Sequence, residues 1–198
     1  ALAAAFERFG IRTHVCPPPS HEEFKLGRGN SLSKECLPLQ LTLGSLIRYL
    51  QRERDEELTV YFMPQTSGPC RFGQYNVYVN LWLKRNRIND VVTLSLNSEN
   101  AYGGLNASQK LRLWLAIVVS DVFCDVANAL RVLASDRKKA ETAIRRAEEA
   151  ILDSLKNDPT KRVYQRLEEV VSLLSSIERS RDFHSVPRVL ITGEIYVR

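Results

Sequence analysis

Apolar positions along this chain follow two periods. Over residues 37–54 they recur every three or four places, at Leu39, Leu43, Leu46, Ile47 and Leu50, which predicts an amphipathic helix. A second helix is predicted over residues 69–87, with Tyr75, Val79, Trp82 and Leu83 facing inward. Four short runs read differently. Residues 11–15, 58–63, 91–96 and 189–192 are apolar and β-branched or aromatic, and each gives way to Pro, Gly or small polar residues, as strands do. Residues 1–9 open the chain as a further helix, stopped by Gly10.

Strands alternating with helices predict a three-layer α/β fold: a parallel sheet with helices on both faces. The alternation breaks after residue 107. Residues 108–181 carry only helical periodicity, in three pieces. Asp136 is placed to cap the second piece, and Asp158-Pro159-Thr160 forms the turn that opens the third. The expected organisation is an α/β domain from residues 1–107 and 182–198, with residues 108–181 as a helical insertion serving as lid, docking surface or dimer interface. A helix that opens the chain without a preceding strand, and a first residue other than Met, suggest a segment of a longer polypeptide.

Composition narrows the function classes. With 198 residues, 44% of them hydrophobic and 26% charged, the chain can bury one sizeable core and a helical subdomain. The formal charge of +5 raises the question of nucleic acid. Its basic residues alternate with acids, as in Arg137-Lys138-Lys139-Ala140-Glu141, which marks a solvated helix face, so no nucleic-acid partner is expected. The longest apolar run, residues 111–119, is interrupted by Arg112 and followed by Asp121. No membrane span is therefore expected, and the cytoplasm is the default location.

The four cysteines are too widely and irregularly spaced for a disulfide framework. Two of them have specific settings: Ser33-Lys34-Glu35-Cys36-Leu37-Pro38 and Gly68-Pro69-Cys70-Arg71-Phe72-Gly73. Each is predicted to stand where a turn enters a helix. There, unpaired N–H groups and the positive end of the helix dipole favour thiolate, the form that binds soft metals and iron–sulfur clusters. Ligands in open α/β sheets bind outside the carboxyl ends of the strands, and both cysteines are expected at that edge. Cys124, within an apolar helix, reads as a core residue. Cys16 ends a predicted strand but precedes three prolines, which leaves both roles open. Other chemistries are poorly represented. There is no GxGxxG or GxxxxGK[ST], and the three histidines are dispersed without HExxH. Glu35, Glu99 and Glu194 read either as acid–base groups or as solvated carboxylates and caps.

Three stretches carry a family likeness: Lys34-Glu35-Cys36-Leu37-Pro38, Gly68-Pro69-Cys70-Arg71-Phe72-Gly73-Gln74-Tyr75 and Gly193-Glu194-Ile195-Tyr196-Val197-Arg198. Through them the chain resembles the large CoA-substrate-specific enzyme activases of anaerobic bacteria. In that group, activator modules are joined to a region similar to the subunits of 2-hydroxyacyl-CoA dehydratases and to double-cubane cluster proteins. The resemblance implies Rossmann-like domains, a cysteine-bound 4Fe-4S or double-cubane cluster, and low-potential electron transfer driven by ATP hydrolysis in the activator. By motif position Cys36 and Cys70 inherit the metal-ligand role, with Lys34 and Arg71 offsetting the cluster's negative charge. It further implies two partners: an ATP-binding activator module in cis or trans, and a second dehydratase-like α/β domain that supplies a third cysteine. The alternative is a non-catalytic scaffold or docking domain with no cluster.

Overall fold

A computed structural model of the chain describes residues 1–32, 34–52, 57–97, 100–187 and 189. Two compact units emerge. The first contains Ala1–Val15 with residues 106–189, and the second contains Cys16–Leu105.

In the second unit, helix α2 (His21–Gly29) is followed by α3 (Leu37–Arg52), strand β1 (Thr59–Phe62), a 3₁₀ turn (Arg71–Gln74), α4 (Tyr75–Arg85) and strand β2 (Val91–Leu94). The strands pair in parallel, Thr59 opposite Val91 through Phe62 opposite Leu94. The predicted helical face of α3 is realised. Leu43, Leu46 and Ile47 join Val79 and Leu83 of α4 and Val91 of β2 in one buried cluster. Tyr61 of β1 donates its hydroxyl to the Thr42 carbonyl at 3.1 Å, locking strand to helix. At the end of α2, Asn30 accepts from Tyr78 Oη and from the Trp82 indole, both at 3.1 Å. These bonds bring α4 onto the same core.

Glycines set the spacing of α2 and α3. A methyl group on Gly44 would lie 1.7 Å from the Glu23 carbonyl oxygen, and one on Gly27 1.6 Å from that of Gln40. The helices therefore meet backbone to backbone, a separation only glycine permits. Helix α2 starts with a capping box, Ser20 with Glu23. Glu23 is buried, yet its carboxylate is satisfied by the Ser20 N–H at 2.6 Å and by Arg48 at 3.0 Å. The hydrogen bond from Ser20 is the main influence holding the Glu23 carboxyl below its ordinary pKa.

The α/β character and the parallel pairing are present, but the sheet is smaller than the sequence predicts. Residues 11–15 form no strand and belong to the other unit. Of the predicted strand at 189–192, residues 190–192 lie outside the described residues. The described sheet has two strands. Helices cover one of its faces, and on the other Val60 and Val92 are exposed.

The first unit is helical: α1 (Leu2–Arg8), α5 (Ala107–Leu133), α6 (Arg137–Asn157), α7 (Thr160–Ser175) and a short 3₁₀ turn (Phe183–Ser185). Asp136 caps α6, accepting from the Lys138 and Lys139 N–H groups at 2.9 and 3.1 Å. Asn106 and Gln109 form a capping box on α5. Small residues on α6, Ala140, Ala143 and Ala147, are buried together with Ile144, Ile151 and Leu155. The N-terminal helix packs here, through Lys156 to Glu7 at 3.0 Å and Arg8 to the Asn157 carbonyl at 3.0 Å. Ala1–Val15, assigned by sequence to the α/β domain, thus keep company with the helices. Beyond α7 the chain bridges back, with Ser180 N–H donating to the Leu133 carbonyl at 2.8 Å.

Arg112 does not interrupt the apolar face of α5 as its place in the sequence suggests. It turns inward, 5% exposed, and donates to the Asp158 carbonyl at 2.8 Å. Burial, with a contribution from nearby Arg8, lowers its pKa from the ordinary value. The helix α5 is 27 residues long and contains an 18-residue window of mean hydropathy 1.7, of which 22% is buried. By length and composition alone such a helix suffices to cross a bilayer, where the sequence reading expected no such run.

Candidate functional site

Both motif cysteines stand at the predicted points of entry into helical structure. Cys36 immediately precedes α3, and its carbonyl accepts from the Leu39 N–H at 3.1 Å. Cys70 precedes the 3₁₀ turn that leads into α4, with its carbonyl accepting from Gly73 N–H at 3.2 Å. The entry at Cys70 is thus a tight turn and not the first turn of a long helix. Its segment leaves the carboxyl end of β1, the edge at which ligands bind in parallel sheets.

The structure brings the two segments together. Arg71 Nη1 donates to the Lys34 carbonyl at 2.9 Å, joining residues 37 apart in sequence. Two further contacts close the join. Cys36 Sγ is hydrogen-bonded to the Tyr75 hydroxyl, and Tyr75 packs edge-on to Phe72 with ring centroids 5.3 Å apart. Cys36 itself rests against the small core of Leu39, Met63 and Tyr75, half-buried, whereas Cys70 is exposed. Lys34 contributes its carbonyl to this junction, and Arg71 contributes the cation.

Glycines allow the second segment to fold tightly. Gly68 adopts φ +128°, and a methyl group on Gly73 would lie 2.4 Å from the Thr66 carbonyl oxygen. The close approach made by Gly73 is therefore to the preceding loop. The loop after β2 reaches the same edge. Ser95 Oγ donates to the Met63 carbonyl at 3.0 Å, and the Asn97 amide bonds Gln65 at 3.2 Å. Ala101, Tyr102, Gly103 and Gly104 follow in left-handed conformation. Such backbone is costly for Ala and Tyr and concentrates at functional sites.

The other candidates separate from this junction. Cys124 is exposed on α5, against the expectation of a core position, because the apolar surface of that helix is itself exposed. Cys16 ends no strand. Glu35 is half-buried, and Glu99 and Glu194 lie outside the described residues. Sequence reasoning did not single out Tyr75 as the partner of Cys36. Its signal was available, since a tyrosine five residues after Cys70 on a core-facing position has a hydroxyl that requires a partner.

Two thiols, one of them hydrogen-bonded to a phenolic hydroxyl, on segments that a guanidinium joins, match the donor chemistry of an iron–sulfur centre. They do not match it in number: among the described residues no group of three His, Cys, Asp or Glu is arranged to hold a metal ion. Comparison with protein-family models, with curated proteins and with solved structures found no match to this chain.

Proposed function

We propose that the chain is the cluster-bearing domain of an ATP-dependent, low-potential electron-transfer system of the 2-hydroxyacyl-CoA dehydratase type. The observation that carries this reading is the junction of the two cysteine segments through Arg71 and Tyr75 at the carboxyl edge of the parallel strands. Cys36 and Cys70 are the residues that hold the group. The centre, when bound, supplies a one-electron carrier. The Tyr75 hydroxyl can donate to a Cys36 thiolate, and Arg71, held by the Lys34 carbonyl, offsets negative charge. Leu39 and Met63 keep the Cys36 side of the site dry.

Two protein ligands leave the coordination open, so further ligands come from a second dehydratase-like α/β domain, and electrons come from an ATP-binding activator module. In this reading the exposed face of the strands, with Val60 and Val92, is where the third layer of a Rossmann-like domain packs. A non-catalytic docking scaffold without a cluster is the alternative reading.

Anaerobic reconstitution with iron and sulfide separates the two, with a small thiol present to complete the coordination. Broad absorption near about 400 nm is expected, typical of thiolate-bound iron–sulfur centres. It disappears in Cys36→Ser and Cys70→Ser and survives in Cys124→Ser. A colourless product, or colour indifferent to both serine variants, refutes the cluster and leaves the scaffold.

A further inference from the structure

The outward face of α5 is the largest feature that this function does not use. Leu111, Trp114, Ile117, Val118, Val122 and Val126 line it, all exposed, with Trp114 64% and Val122 58% accessible. From Val118 onward this face opens into an apolar groove of about 510 Å³, walled on the far side by Leu167, Val171 and Leu174 of α7. The six exposed side chains present roughly 600 Å² of surface, at the upper end of the largest apolar patch an ordinary monomer shows. Two such faces together bury on the order of 1,200 Å², the lower bound of a standard stable interface.

We infer that this face is a self-association surface, on which α5 of a second copy packs antiparallel about a two-fold axis near Val118. The arrangement of knob and groove along one helix supports a second copy as the occupant. Trp114 projects one turn before the groove begins, so reversing the helix direction delivers it to Val122 of the other copy, a wall of that copy's groove. A two-fold contact requires this reciprocity, because each patch must complement itself.

The charges agree with the same register. At about 1.5 Å rise per residue, Lys110 of one copy comes alongside Asp125 of the other, and the two Asp121 stay about 9 Å apart along the axis. Arg112, which would add a cation to the interface, is already turned inward. The face lies wholly within the helical unit, so the inference does not depend on the cluster.

The test uses the position on the axis. The chain should sediment as a dimer at about 100 µM, which corresponds to a Kd of about 10 µM or tighter. Val118→Glu and Val118→Lys each place like charges face to face and should each sediment as monomers with unchanged helical circular dichroism. An equimolar mixture of the two should recover the dimer, which neither misfolding nor a merely structural role for Val118 can produce. Val118→Cys should form an interchain disulfide under mild oxidation, while Val132→Cys, far from the axis, should not. A monomeric parent chain, failure of the mixture to pair, or capture of the chain by phosphatidylcholine vesicles in place of self-association overturns the inference.

Discussion

Placing one methyl group between α2 and α3 tests the packing on which the Cys36 segment rests. In Gly44→Ala the new carbon starts 1.7 Å from the Glu23 carbonyl oxygen, and both are fixed to backbone. An ordinary contact needs nearly twice that, so the helices must part by about 1.5 Å. A radial gap of about 1 Å already forfeits up to half of each dispersion contact it opens. Overpacking of this kind costs about 1–3 kcal/mol, and the upper end applies because neither contacting atom can rotate away. Alanine in place of glycine returns about 1 kcal/mol of helix propensity. The net expectation is a loss of about 2 kcal/mol, which lowers Tm by roughly 8–16 °C in a unit of this size.

Thermal and urea unfolding followed by circular dichroism measure it. Gly29→Ala is the control: nothing lies within 4 Å of its added methyl, and the expected change stays within about 0.5 kcal/mol. Gly27→Ala should resemble Gly44→Ala, and the double variant should cost less than the two together, since helices parted once admit both methyls. A Gly44→Ala protein as stable as the Gly29→Ala control would refute the close approach of these helices.

Four other outcomes follow from the same contacts. The depressed Glu23 pKa means that its contribution is fully present above the unfolded carboxylate range near about 4.3 and is lost as pH falls through the lower, folded value. Urea midpoints measured from pH 6 to 3 should therefore fall, and Glu23→Gln should flatten part of that slope. Asp136→Ala removes a cap serving two N–H groups and should cost about 1 kcal/mol, seen as a lower unfolding midpoint. Tyr75→Phe removes the hydrogen bond to Cys36 and should lower stability by about 1 kcal/mol in urea unfolding. Ala101→Gly relieves a left-handed residue and should leave stability equal or raised by up to about 1 kcal/mol; a loss would show that the Ala101 side chain packs usefully.

What the sequence made legible was local. The periodicity of α3 named its buried residues, Asp136 announced its own cap, and the two parallel strands fell within the predicted runs 58–63 and 91–96. These features depend on neighbours a few residues away, and so does the setting of each cysteine before a helical turn. Long-range choices were harder to see. Residues 11–15 are β-branched enough for a strand, yet β propensity mostly measures fit to a pleated surface, and no partner strand adjoins them in the described sheet. Helix α2 carried a signature, Ser20-x-x-Glu23, but its apolar face is sparse because Gly27 stands where a larger residue would be read as core. Arg112 read as a break in an apolar run because direction of burial is invisible in one dimension. At the candidate site the ligand types were legible, whereas the Arg71–Lys34 and Cys36–Tyr75 contacts depend on how two distant segments dock.

The two acids on α5 have a consequence that begins before the chain folds. Machinery that sorts nascent chains into membranes reads hydrophobicity residue by residue, before any packing exists. Each Asp at the centre of such a segment costs about 2.5–3.5 kcal/mol, against about 0.3–0.6 kcal/mol gained per Leu, Ile, Val or Phe. Asp121 and Asp125 lie in the middle of the apolar stretch of α5, and their combined cost of about 5–7 kcal/mol is of the same size as the gain of about 4–7 kcal/mol from its twelve Leu, Ile, Val and Phe residues. On a scale read before folding, two carboxylates thus offset most of the apolar content of a 27-residue helix.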